Sequence, residues 1–396
     1  MIKPNFLSKN KPLFKERFFI TRPNLPKTKE LMPYMDAMLK SKWVTNFGKF
    51  HNEFADEIKK RLNVKYALPC CNGTIALFML IEALELKGKV ITTPFTFPAT
   101  IHAVTMAGLE PLFCDINRDE YTIDAEAVEK LITPEVSAIL AVNVFGNICD
   151  VEKLNELSLK YKIPVIYDSA HAFLASFKGK KVGNFGTAEM FSFHATKFFN
   201  TIEGGVITTN DEKLYNKLKL LINFGIKDEE NVTGIGLNGK MSEVNAIFGL
   251  LSFKKADTYL DKLSNLHKIY KQGLSKIQGI KMQVINSQCS PNRQYMPVEI
   301  NENEFGLTRD ELHLVLKADN LITRKYFYPS ADQYECYKNK PFTNNINLIN
   351  VKAVTKRIMC LPMFASMNPE DSRKICGLIG SVQKHSKEIS SILKNK

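Results

Sequence analysis

The sequence predicts an α/β chain in two parts. A large domain with a mainly parallel sheet between helices is expected over residues 1–255, N-terminal arm included, and a smaller C-terminal α+β domain over 256–396. Three observations predict this. Between Tyr66 and Thr209, short β-branched or aromatic runs alternate with amphipathic stretches, the pattern of a sheet covered by helices. After about Met241 the pattern turns helical, with a long stretch to roughly Ile277 that links the two parts. At 396 residues the chain exceeds the size at which one hydrophobic core keeps growing.

The elements follow in order. Helices are expected at Thr74–Leu86, Pro98–Ala107, Ala125–Ile132 and Val151–Tyr161, where apolar residues recur at helical spacing behind Pro or polar starts. Strands are expected at Val90–Thr92, Pro111–Ile116, Ala138–Val144, Pro164–Tyr167, Glu189–Phe193 and Gly205–Thr208. Right-handed crossovers put the strand ends, and with them Asp168, on one rim, where ligands bind. The C-terminal part mixes the strand Tyr295–Ile300 with helices Thr308–Ala318 and Pro369–Ser381. No internal repeat or low-complexity tract interrupts them.

Composition narrows the function. With 44% apolar and 24% charged residues the chain is an ordinary folded protein, and its longest apolar run, Ile75–Ile81, is too short to cross a bilayer. No membrane partner is expected. The first twenty residues are basic, but Pro4 and Pro12 interrupt any helix and no apolar core follows, so they read as an arm. Eight cysteines with no CxxC pair indicate neither a zinc site nor a disulfide framework, so no metal is expected and a reducing cytoplasm fits. The net charge of +13 is spread diffusely, which speaks for a solvated basic surface or an anionic small substrate and against nucleic acid.

Lys197, in Ser192-Phe193-His194-Ala195-Thr196-Lys197, and Asp168, at the end of an apolar strand, suggest pyridoxal phosphate chemistry. That cofactor needs an amine to hold it as a Schiff base and a carboxylate to keep its pyridine nitrogen protonated. A carboxylate closing a buried strand is costly unless a cation such as a pyridinium pairs with it. Cys71-Asn72-Gly73-Thr74 precedes a helix whose first amides suit a phosphate, although Asn72 or Thr74 as a simple helix cap is the plainer reading of that motif alone. Phe97, between two prolines at the same rim, suits stacking on a ring. His171 suits a hydrogen bond to the ring's phenolic oxygen or is a satisfied core histidine. Gly234-Ile235-Gly236-Leu237-Asn238-Gly239 fits the dinucleotide pattern, but a polar loop precedes it where a strand is required, which argues against a nicotinamide oxidoreductase.

Together these segments, with Trp43-Val44-Thr45-Asn46-Phe47-Gly48, Glu203-Gly204-Gly205 and Gly236 to Met241, resemble the DegT/DnrJ/EryC1/StrS family of sugar-nucleotide aminotransferases. The resemblance spans nearly the whole chain. It implies the fold of type I pyridoxal phosphate enzymes, with pyridoxal 5'-phosphate as cofactor and pyridoxamine 5'-phosphate as its intermediate form. It implies that Lys197 holds the cofactor and shuttles the proton, Asp168 pairs with the ring nitrogen, His171 lies near the phenolic oxygen and Phe97 stacks. Gly73, Thr74 and Ser192 would hold the phosphate, joined by Asn238 from the other subunit of a homodimer.

The segment Arg324-Lys325-Tyr326-Phe327-Tyr328-Pro329 resembles the branch that makes 4-amino-4,6-dideoxyhexoses. The expected reaction moves an amino group from L-glutamate to a nucleotide-diphosphate keto-6-deoxyhexose such as dTDP-4-keto-6-deoxyglucose, with Lys240, Arg324 and Tyr326 against the substrate. Lys240 stands where relatives usually have Arg, which keeps the charge and loses the planar fork. A 3-keto-sugar aminotransferase is the near alternative. The pyridoxamine-dependent sugar dehydratases carry a histidine in place of this lysine, and a non-catalytic regulator would not need to keep Lys197 and Asp168.

Overall fold

The computed structural model describes residues 4–8, 11–343 and 347–395. Its centre is a seven-stranded sheet built from β1 (Tyr66–Cys70), β2 (Lys89–Thr92), β3 (Glu110–Phe113), β4 (Val136–Val142), β5 (Val165–Asp168), β8 (Ala188–Ser192) and β9 (Gly205–Thr209), in the order β1-β9-β8-β5-β4-β2-β3. The chain between β5 and β8 holds β6 (Ser176–Phe177) and β7 (Lys180–Lys181), which form a small sheet with β11 (Cys289–Ser290). Within the seven-stranded sheet β9 runs against its neighbours and the other six strands are parallel to one another.

The period of two along each strand sorts side chains onto two faces. Ile139 and Ala141 of β4 join a core with Phe54 and Ile58 of the helix Lys49–Leu62, Leu154 and Leu157 of the helix Val151–Tyr161 and Ile247 of the helix Glu243–Phe253. Ala138 and Leu140 join the opposite core, with Leu77 and Leu80 of the helix Gly73–Ala83, Val104 of the helix Pro98–Met106 and Leu218 of the helix Glu212–Leu221. Covering both faces is what permits a largely parallel sheet.

A second, antiparallel sheet follows, with β12 (Met296–Ile300) between β10 (Ile280–Met282) and β13 (Ile358–Leu361). The helices Ala256–Leu274 and Pro369–Lys384 contribute Leu263, Leu266, Ile375 and Ile379 to its core. The N-terminal arm lies along this part of the chain: Asp319 accepts from the backbone N–H groups of Asn5 and Leu13 at 3.0 Å each.

Several expected boundaries move. The strand expected at Pro111–Ile116 ends at Phe113, after which the chain bends into an isolated bridge between Ile116 and Ile123. The strand expected to Val144 stops at Val142, because residues 144–146 form a 3-10 turn. The long stretch after Met241 is two helices, separated at Lys254 and Lys255. The glycine-rich segment Gly234–Gly239 connects helices through isolated bridges, with no strand before it, which agrees with rejecting a dinucleotide site. Among the described residues no helix is long and apolar enough to cross a membrane, and no cluster of His, Cys, Asp and Glu has metal-binding spacing.

Candidate active site

Parallel order brings the carboxyl ends of β2, β4, β5 and β8 to one rim, and β9 starts there because it runs the other way. β5 ends in Asp168 and β8 in Ser192. β1 delivers Asn72 to the same rim, and β2 delivers the segment from Thr93 to Phe97.

Asp168 is 5% exposed. One carboxylate oxygen accepts from Thr100 Oγ1 at 2.7 Å and the other from the Ala170 N–H at 3.1 Å. Thr96 Oγ1 lies 2.7 Å from Thr100 Oγ1 and, since Thr100 donates to Asp168, donates to it in turn. Burial pushes the Asp168 carboxyl up; the Thr100 and Ala170 hydrogen bonds and the Lys197 charge pull it back. Among the described residues no cation forms an ion pair with this carboxylate, and a buried carboxylate with two donors is a place prepared for one.

Lys197 stands on the loop after β8. Phe193 and Phe199, on either side of it, are buried against each other at 5.0 Å and against Phe173 at 4.8 and 4.6 Å, so an aromatic cluster anchors the loop from below. The residue is partly exposed, but its amine end is buried in the cleft. Burial lowers the Lys197 ammonium from 10.5 to about 8, against the opposing pull of Asp168. Its Nζ donates to the Tyr295 hydroxyl at 3.2 Å.

His171 is buried beside them. Its Nδ1 accepts from the Phe145 N–H at 3.2 Å, which fixes the hydrogen of the neutral ring on Nε2. Burial, then the Lys197 charge, holds the imidazole well below its usual range, so it stays neutral. Phe145 reaches this position with φ +56°, a left-handed conformation that costs a non-glycine residue about 1 kcal/mol or more. Its ring and that of Phe327 lie nearly parallel to the imidazole, each 6.0 Å away, and Tyr295 packs at 4.4 Å.

The phosphate end is the start of the helix Gly73–Ala83. Asn72 caps it by accepting from the Ile75 N–H at 2.9 Å, so the capping role is real. The Gly73 and Thr74 amides have no acceptor within the helix. A Cβ on Gly73 would stand 3.0 Å from Ser192 Cβ and 3.1 Å from Met190 Sδ, and one on Gly205 would meet the Gly73 nitrogen at 2.8 Å. These glycines let helix start and strand ends converge into a small cradle beside the Ser192 hydroxyl. Phe97 is 51% exposed, and its carbonyl accepts from the Thr100 N–H at 3.2 Å. An amide cradle, an unburied ring, a buried amine, a buried carboxylate and a neutral Nε2–H donor are what a phosphorylated pyridine aldehyde requires, and the residues fit it.

The remaining expected residues lie farther out. Lys240 is buried, donates to Asn223 Oδ1 at 2.7 Å and sits 5.0 Å over the Phe224 ring. Asn238 is exposed on the neighbouring extended segment, whose Gly239 carbonyl accepts from the Cys71 N–H at 2.7 Å. The Arg324 guanidinium lies 5.2 Å over the Tyr326 ring, which in turn meets Tyr295 edge-on at 6.3 Å. Sequence reasoning missed Thr100, Phe145 and Tyr295, which meet the site only through contacts between distant segments.

Residues 26–380 match the DegT/DnrJ/EryC1/StrS aminotransferase family. The chain is 39% identical over 365 residues to a dTDP-4-amino-4,6-dideoxy-D-glucose transaminase of Shigella dysenteriae, covering 92% of this chain and 99% of that protein. It is 30% identical to a GDP-perosamine synthase of Escherichia coli O157:H7, covering 87% of this chain and 93% of that protein. The crystal structure of DesI with its TDP-sugar product superposes with a TM-score of 0.93 at 31% identity, covering 98% of this chain and 99% of that one.

Proposed function

The chain belongs to the DegT/DnrJ/EryC1/StrS aminotransferase family, and from that premise we propose that it uses pyridoxal phosphate to move an amino group from L-glutamate to dTDP-4-keto-6-deoxyglucose, giving the 4-amino-4,6-dideoxy sugar. The observation that carries the reading is the buried carboxylate of Asp168 and the buried, easily deprotonated amine of Lys197 at one cleft, with His171 beside both. The relatives' names support the choice of sugar.

When bound, the cofactor supplies an electron-accepting ring that stabilises negative charge on the reacting carbon. Asp168 would face the ring nitrogen and, as the buried anion there, hold a proton on it. His171 Nε2–H would donate to the phenolic oxygen, the direction that the Phe145 N–H imposes. Phe97 would cover one ring face, and the Gly73 and Thr74 amides with the Ser192 hydroxyl would hold the phosphate.

Lys197 would carry the cofactor and, once released, take a proton from the donor's α-carbon and later return one to the sugar carbon. A pKa of about 8 leaves roughly a tenth of the amine free at pH 7, far more than an ordinary lysine offers. Lys240, Arg324 and Tyr326 would face the anionic and sugar parts of the substrate.

The active enzyme would be a homodimer. Phe224, Ile226, Val232 and Ile235 are exposed on the extended segment that leads to Asn238, with Ile235 97% exposed. A second copy covering this apolar face would receive Asn238 near its phosphate cradle. The division into residues 1–255 and 256–396 places the cradle, Asp168 and Lys197 in the first part and Tyr295, Arg324 and Tyr326 in the second. All eight cysteines are free, which suits a cytoplasmic enzyme. The test is incubation of the loaded protein with L-glutamate and dTDP-4-keto-6-deoxyglucose. Stoichiometric 2-oxoglutarate and an amine at C4 of the sugar are expected, whereas no amino sugar, or amination at C3, contradicts the assignment.

A further inference from the structure

Lys197 must be loose enough to leave the cofactor and fixed enough to return to the same carbon. A free lysine side chain loses that fix because its four-carbon stem samples many rotamers. Among the described residues, the polar group that meets its amine is the Tyr295 hydroxyl, 3.2 Å away, immediately before β12 in the second sheet. The phenol is 6% exposed, and its ring is wedged between His171 at 4.4 Å, Phe145 at 5.7 Å and Tyr326 at 6.3 Å. Lys197 Nζ also lies 5.6 Å from the Tyr295 ring centre.

We propose that Tyr295 is a positioning residue for Lys197, parking its amine beside the reacting carbon in both protonation states whenever the amine is not attached to the cofactor. A phenol suits this because it is both donor and acceptor. Toward the ammonium it accepts, as in the present geometry; toward the free amine it donates its own proton to the nitrogen lone pair. No proton needs to leave Tyr295, and burial pushes its phenol well above the usual range, so it remains protonated. The ring that carries the hydroxyl also backs the imidazole, so one side chain from the second sheet fixes two groups of the first. This rests on the assignment of Lys197 as the catalytic amine.

The test uses Tyr295→Phe, which removes one oxygen and keeps the ring against His171. In cofactor-free protein, the rate at which trinitrobenzenesulfonate modifies Lys197 is followed against pH by peptide mapping. The bond to the ammonium, being charge-assisted, is stronger than the one to the free amine, and that difference raises the pKa, so the inflection, expected near 8 in the parent, should fall by roughly one unit in the variant. Tyr295→His, which restores a polar tip on a ring, should bring it back toward the parent. In the loaded enzyme, kcat should fall about tenfold with the KM for the sugar nucleotide nearly unchanged, because a tether lost in the transition state costs turnover. An unmoved inflection with kcat within twofold of the parent overturns the proposal. Because the labelling is done without cofactor, that failure differs from failure of the pyridoxal phosphate reading, which would show as no cofactor bound at Lys197.

Discussion

Thr100 Oγ1 donates to Asp168 Oδ2 at 2.7 Å, and both groups are buried. A hydroxyl from the first turns of a helix thus holds the carboxylate at the end of the neighbouring strand, and its effect is to favour the charged form. Under the proposed function, that charge is what the ring nitrogen of pyridoxal phosphate would require.

Thr100→Val keeps the side-chain shape and removes the donor. A hydrogen bond to a buried charge contributes about 1.5–3 kcal/mol, so the affinity of cofactor-free protein for pyridoxal phosphate should fall at least tenfold. Absorbance titration measures it, and an unchanged Kd contradicts the role given to Asp168.

The Lys197 amine makes stability depend on pH with a definite sign. Its pKa is lowered on folding, so between about 8 and 10.5 the unfolded chain holds the proton that the folded chain has released. Stability from this group therefore rises with pH across that window and is level on either side of it, lowest below about pH 8, where both chains hold the proton. Urea denaturation of cofactor-free parent should show a gain over Lys197→Met of about 2–3 kcal/mol between pH 8 and 10.5. Parallel pH curves for the two proteins contradict it.

Gly73→Ala places a methyl against Ser192 and Met190, at 3.0 and 3.1 Å. The cradle narrows while Asp168, His171 and Lys197 stay in place. Binding of pyridoxal phosphate should weaken by about tenfold or more, and binding of pyridoxal, which has no phosphate, should not change. Equal losses for both ligands would show that the cradle does not hold the phosphate.

Ile235 is the most exposed large apolar side chain on the segment that leads to Asn238. Ile235→Asp would bury a charge if a second copy covers this face, at a cost of several kcal/mol per dimer. Sedimentation should show a dimer for the parent and monomer for the variant at micromolar concentration; a monomeric parent contradicts the proposed shared site.

The rim was legible in the sequence because its parts are local. An apolar run ending in Asp168 can only be a buried strand with a costly terminus, and Gly73-Thr74 before an apolar helix announces free amides. Other parts were not. β1 carries Pro69, which speaks against a strand in the sequence, but it is the end strand of the sheet with β9 as its strand neighbour, a position where a proline is tolerated. The helix Lys49–Leu62 buries Phe50, Phe54, Ile58 and Leu62 at every fourth residue, a helical period that the sequence itself carries. Thr100, Phe145 and Tyr295 belong to the site through contacts 68, 26 and 98 residues long, which no local pattern encodes.

The assignment of Lys197 is tested most directly by fixing the cofactor in place. The protein is loaded with pyridoxal phosphate, reduced with borohydride and digested, and the modified lysine is located by mass spectrometry. A single phosphopyridoxyl group on Lys197, absent from Lys197→Ala, is the predicted result. The group on another lysine, or none at all, would contradict the account.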